Sequence, residues 1–228
     1  MIENCRLLLP YVAPYFSYVC VASLLHDALP VELNYVLRII LASGFLYWAW
    51  DWYIPLHETG KKTTSVLFGL AYGTVGCALW ILLLSPFVSP ENTPPWSNIS
   101  IIIRIAAAGF LVPVFEELMV RGYAFRLALQ WDTCRKEKVT DPLYTTLHER
   151  SINDVAPEAW SWPAVCISTA VFTIGHAIPE WPAAVAYGLL MCHLMIQRKN
   201  LLSCIIAHAT TNILLAGYVY LTGSYHLW

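Results

Sequence analysis

The chain has 228 residues, of which 58% are hydrophobic and only 12% charged, and its formal net charge is −2. A soluble domain is typically about 45–50% apolar and about 25% charged. With a mean hydropathy of +0.56, this composition excludes an ordinary soluble protein, and the slight acidity argues against a nucleic-acid partner. The length fits one all-α, polytopic membrane helix bundle spanning residues 1–228, rather than two domains.

Crossing about 30 Å of hydrocarbon takes about 17–25 apolar residues. Such stretches fall at 7–25, 33–53, 63–84, 99–130, 162–178, 182–197 and 201–221, which predicts about seven transmembrane helices. The first is read as a mature span and not a secretory signal, because only Arg6 precedes it and Pro10 and Pro14 interrupt it. Basic residues sit in alternate connections: Arg6; Lys61 and Lys62; Arg135, Lys136, Lys138 and Arg150; Arg198 and Lys199. The segments 26–32, 85–98 and 179–181 contain neither Lys nor Arg. The positive-inside rule therefore puts the N-terminus in the cytoplasm and the C-terminus outside. Arg38 and Arg104 fall near outer helix ends, where long side chains snorkel toward the headgroups.

Between the spans the features are local. Trp48, Trp50, Trp52 and Tyr53 form an interfacial aromatic belt. Residues 89–95 read as an outer turn, and Ser97 or Asn98 as the cap of the fourth helix. Residues 131–160 are the one sizeable polar piece, read as a cytoplasmic connecting loop. Cys5, Cys20, Cys77, Cys134, Cys166, Cys192 and Cys204 form no CxxC pair, so they read as small buried hydrophobes and not as a disulfide or zinc framework.

The fourth stretch carries the chemistry. Phe115-Glu116-Glu117-Leu118-Met119-Val120-Arg121 places three ionisable groups where a spanning helix should be, each costing roughly 2.5–3.5 kcal/mol at mid-bilayer depth. Glu116 and Glu117 point about 100° apart. Arg121 is i+4 from Glu117, the spacing at which side chains meet. Arg121 is thus expected to neutralise Glu117, which leaves Glu116 free to face a cavity. Pro113 removes the helical partner of the Gly109 carbonyl, a local opening tolerated where a helix lines a cavity. On the fifth span Phe172 and His176 share a face, and on the seventh His208 and Asn212 do. With a rise of about 1.5 Å per residue, Glu116, His176, His208 and Asn212 all fall around the bilayer centre. A glutamate, two histidines and an asparagine converging there are able to activate water and stabilise an oxyanion.

Glu-Glu-x-x-x-Arg, Phe-x-x-x-His and His-x-x-x-Asn, in this order on successive apolar spans, resemble the motifs of the CAAX-protease and bacteriocin-processing (CPBP) family of glutamic intramembrane proteases. The resemblance covers about 99–221. Val120 stands where the family commonly has Phe. The resemblance implies an endopeptidase that cuts near the C-terminal, membrane-associated tail of a substrate, of CaaX type or a sorting signal. It implies that Glu116, assisted by His176, activates water, that His208 and Asn212 bind the oxyanion, and that Glu117, Arg121 and Phe172 support them. It implies a membrane protein or lipid-modified peptide as substrate. The small size and lean loops look like a prokaryotic member in the plasma (inner) membrane, linked to an exosortase-like sorting system.

Blander readings stand beside these. The Glu-Glu-Arg cluster by itself also fits a structural ion network, and His208 with Asn212 fits hydrogen-bonding glue between helices. His193 reads as structural; His26, His57, His148 and His226 read as solvated. Glu116, His176 and His208 are acceptable zinc ligands, but no His-Glu-x-x-His is present, and neither a metal nor a cofactor is expected. A non-catalytic membrane immunity protein, scaffold or transporter with the same fold is the alternative function.

Overall fold

The structure, a computed structural model, describes residues 2–57, 60–89 and 96–228. All regular structure among these residues is helical. The helices are α1 (Asn4–Leu24), α2 (Val31–Ala49), α3 (Lys62–Leu84), α4 (Asn98–Lys136), α5 (Pro142–His148), α6 (Trp162–Ile174), α7 (Trp181–Arg198) and α8 (Leu201–Thr222). The outer turn expected at 89–95 lies outside the described residues apart from Ser89.

A helix occupies each of the seven predicted places, and four of them are long and apolar enough to cross a bilayer: α1, α3, α4 and α8. The outward surface is apolar, with Ile40, Leu67, Leu82, Ile102, Phe110 and Leu221 all exposed. Such a surface suits lipid and not water, and the chain is an integral membrane protein. The spans depart from expectation in one informative place. Helix α6 has 13 residues, about 20 Å at 1.5 Å per residue, because the chain leaves it at Ile174. The amides of Gly175 and His176 fold back onto the carbonyls of Phe172 and Thr173, at 3.2 and 3.0 Å.

Two prolines sit inside α1 without ending it. Pro14 leaves the Pro10 carbonyl without an intrahelical donor, and the Tyr53 hydroxyl donates to it at 2.9 Å. The aromatic residues before α3 are therefore not all a belt: Tyr53 is turned inward, whereas Trp48 and Trp50 are exposed. Helix α4 is capped by Ser97, whose hydroxyl accepts from the Ser100 amide at 3.0 Å. Ser97 and Ser100 also donate to Glu32 at 2.9 and 2.6 Å, fastening the start of α4 to the start of α2.

Helices α3 and α8 meet through small residues, as membrane helices do when backbones approach closely. A Cβ on Gly73 would lie 2.5 Å from the Ala207 carbonyl. The Thr211 hydroxyl donates to the Gly73 carbonyl at 2.9 Å.

The segment expected to be a plain loop after residue 130 is largely built. Helix α4 continues to Lys136, supported by an i,i+4 pair between Lys136 and Asp132 at 2.7 Å and by Arg135 stacked on Trp131. It ends in a Schellman turn with Lys138 at φ 58°: the amides of Lys138 and Val139 return to the carbonyls of Arg135 and Cys134. The following residues are anchored by Asn4, which is fully buried. Its side chain donates to Gln130 Oε1 and to the Thr146 carbonyl, both at 2.7 Å, and accepts from the Ile152 amide at 2.6 Å. One asparagine thus ties α1, α4, α5 and the Ile152–Asp154 turn together. Of the seven free cysteines, Cys77, Cys134, Cys192 and Cys204 are buried as expected, whereas Cys20 and Cys166 are exposed on the apolar surface.

Candidate active site

The site is assembled by a helix that is α-helical only in part. Helix α4 contains two π-helical stretches, Ala107–Leu111 and Leu118–Ala124, with Val112–Glu117 α-helical between them. Each π turn advances five residues per hydrogen bond and re-aims the side chains beyond it. The effect of Pro113 follows this register. The Val112 amide bonds the Ala107 carbonyl, so the next carbonyl, which Pro113 cannot serve, is that of Ala108, and not Gly109 as an unbroken α-helix would have it. Asn212 on α8 fills the vacancy: its Nδ2 donates to the Ala108 carbonyl at 2.7 Å.

Glu117 and Arg121 are both completely buried. Arg121 Nη1 donates to Glu117 Oε1 at 3.1 Å, and Nη2 reaches the Gly188 carbonyl on α7 at 3.4 Å. The i+4 pairing inferred from spacing is present. The same Glu117 oxygen also takes His208 Nδ1 at 3.0 Å, a contact that spacing within α4 gives no hint of. A carboxylate only accepts, so Nδ1 carries the proton and Nε2 faces the other way. Nε2 stands 3.8 Å from Glu116 Oε2. His208 therefore bridges the two glutamates.

Glu116 diverges from Glu117 as the helical angle requires, and its side chain keeps 15% exposure. His176 lies just past the end of α6. Its Nδ1 is 2.9 Å from the Phe172 carbonyl, which also accepts from the Gly175 amide. Nδ1 is again the protonated nitrogen, and in the neutral ring Nε2 is bare. The Phe172 ring packs against His176, His208 and Tyr187, with centroid separations of 4.5, 6.1 and 5.7 Å. Trp80 on α3 closes the other side of His176 at 5.3 Å.

Glu116, His176, His208 and Asn212, from α4, the end of α6 and α8, line one cavity of about 260 Å³. Trp80, Tyr187, Tyr18, Tyr35, Arg38 and Arg104 line it too; none of these six was singled out as a site residue from sequence. The two arginines, placed near outer helix ends by sequence, face this cavity. Glu117, Arg121 and Phe172 stand around it, with Phe172 on its wall. A carboxylate and two ring nitrogens facing one cavity suit proton transfer to and from water. Among the described residues, the one Cys/His/acid group close enough for a metal is Glu3, Cys5 and His148, which lies elsewhere.

Residues 98–214 match the family model described as Rce1-like, Type II CAAX prenyl endopeptidase Rce1-like. No curated protein and no solved structure matches the chain.

Proposed function

Because the chain belongs to the Rce1-like type II CAAX prenyl endopeptidase family, we propose that it is a glutamic intramembrane endopeptidase that cuts near the C-terminal, membrane-associated tail of a protein or lipid-modified peptide. One observation carries the proposal: Glu116, His176, His208 and Asn212 line a single cavity in a helix bundle with an apolar exterior.

In this mechanism Glu116 accepts a proton from a cavity water, and the oxygen attacks the scissile carbonyl. His176 assists through its bare Nε2. His208 and Asn212 face the oxyanion. To serve it, His208 Nε2 must carry a proton in addition to the one that Nδ1 donates to Glu117. Asn212 has one amide hydrogen engaged with Ala108 and a second to offer. When the C–N bond breaks, the proton held by Glu116 passes to the departing amine. Glu117 acts through His208, whose Nδ1 it holds, and Arg121 keeps Glu117 in place. The asymmetry between the two histidines, one held by a carbonyl and one by a carboxylate, supports giving them different roles.

The arrangement in the membrane belongs to the same proposal: a single unit over residues 1–228, seven spans formed by α1–α4 and α6–α8, the N-terminus in the cytoplasm, and a prokaryotic plasma membrane as the location. The alternation of Lys and Arg between connections supports it.

The test is cleavage of a panel of tail-anchored and CaaX-type peptides in liposomes, with Glu116→Ala, a zinc chelator and a thiol reagent as controls. Cleavage that survives both reagents and is lost in Glu116→Ala is expected. Loss with the chelator would make the protein a metalloenzyme, and equal cleavage by the variant would remove Glu116 as the base.

A further inference from the structure

The cavity that holds Glu116 also holds two guanidiniums, and they are unusually arranged. Arg38 lies seven residues into α2 and Arg104 six into α4, roughly 9–10 Å down each helix at 1.5 Å per residue. Both are half-buried. Arg38 Cζ stands 3.9 Å from the Tyr18 ring centroid and 4.4 Å from that of Tyr35. Arg104 Cζ stands 3.6 Å from Trp96 and 5.5 Å from Tyr35, and Arg104 interacts with the Tyr35 phenol. Tyr35 thus sits beside both.

Neither arginine has an ion-pair partner among the described residues. Both Nε atoms are buried without a hydrogen bond. The side-chain carboxylates on the cavity wall are Glu116 and Glu180, and Glu180 is occupied by the Ala177 amide at 2.9 Å. Charged groups at membrane depth are costly and normally paired. A guanidinium stacked on an aromatic face keeps its in-plane N–H groups free, the edge that matches a carboxylate in two parallel hydrogen bonds.

We propose that Arg38 and Arg104 form an anion subsite that takes the free C-terminal carboxylate of the substrate tail. It rests on the proteolytic reading of the Glu116 cavity. Arg104 and Glu116 are twelve residues apart on α4, roughly 18 Å of helix rise. At about 3.3–3.6 Å per extended residue, a carboxylate held there puts the attacked carbonyl on the order of five residues or fewer from the end of the chain. The subsite would make the protein a ruler that measures from the C-terminus.

The experiment compares one farnesylated peptide ending in Cys-Val-Ile-Met, made as the free acid and as the C-terminal amide. For the wild type, kcat/KM is expected to be about tenfold to hundredfold higher for the acid, the range of charge-assisted hydrogen bonds, mostly through KM. In Arg38→Gln and Arg104→Gln the acid should fall toward the amide, and melting curves of both variants in detergent that match the wild type show that they fold. Lys at either position should restore part of the preference. Equal cleavage of acid and amide by the wild type, or a preference that survives both substitutions, overturns the proposal.

Binding of both peptides to Glu116→Gln separates this inference from the reading beneath it. Acid-selective binding that needs the two arginines, without turnover by the wild type, sinks the protease and keeps the subsite. Binding of neither peptide overturns the subsite. Arginine-dependent binding of dihexanoyl phosphatidylglycerol with no acid preference among the peptides assigns the guanidiniums to lipid headgroups and overturns it as well.

Discussion

Replacing Arg121 by Met separates what holds the site together from what makes it work. Arg121 and Glu117 are both at 0% exposure and 3.1 Å apart. Without the guanidinium, Glu117 keeps His208 Nδ1 as its one partner, and its second oxygen already has none. Breaking a buried pair from one side costs about 3–5 kcal/mol, because an uncompensated charge remains. For a chain of this length that is roughly 6–20 °C of melting temperature. Removing the charge as well, in Glu117→Leu with Arg121→Met, should recover most of the loss, since apolar replacement of a buried pair is often neutral or stabilising. Activity should not return with stability, because His208 has lost the acceptor that fixes its tautomer. The assay is thermal unfolding in detergent beside peptide cleavage. A single variant as stable as the wild type, or a double variant less stable than the single, would refute the ion-pair reasoning. A stable double variant with full activity would refute the role given to Glu117.

Three further outcomes follow from other contacts. Glu116→Gln, at a side chain that keeps 15% exposure, should leave the melting temperature unchanged and lower kcat by about 10²–10⁴, the usual range for a lost general base; a melting shift of several degrees would make Glu116 structural. Asn212→Leu removes the hydrogen bond to the Ala108 carbonyl and should cost about 0.6–1.7 kcal/mol with a larger proportional loss of kcat, measured by unfolding and cleavage on the same preparations. Gly73→Val drives a side chain into the Ala207 carbonyl and should cost about 1–3 kcal/mol of stability and reduce activity, because α8 carries His208 and Asn212; an unchanged melting curve would show that α3 and α8 do not pack this closely.

The helices and their apolar faces were legible in composition and run length, since nearly every interior and lipid-facing position must be apolar in a bilayer. The pairing of Arg121 with Glu117 and the divergence of Glu116 were legible too, because they depend on angles within one helix. His176, His208 and Asn212 came into consideration through the faces they share with Phe172 and with each other and through their depth along the spans, and the resemblance then implied their roles. The built segment after residue 130 was not legible: its order comes from Asn4, more than a hundred residues away in sequence, and a buried asparagine looks like any other polar residue near a helix start. The early end of α6 was hidden for a related reason, as Ile174-Gly175-His176 is apolar enough to continue the span, and the turn is fixed by carbonyls that the His176 ring and the Gly175 and His176 amides satisfy.

By itself, then, the sequence determined a membrane-embedded helical bundle and a short set of ionisable groups too costly to be incidental. The tertiary structure decided which of them meet. It set His208 between two glutamates, gave the carbonyl orphaned by Pro113 to Asn212 through a π register, and turned Arg38 and Arg104 into the cavity. Periodicity reports which residues share a face of one helix. Which faces meet, and at what depth, depends on helix crossing, π turns and glycine contacts that no single segment encodes.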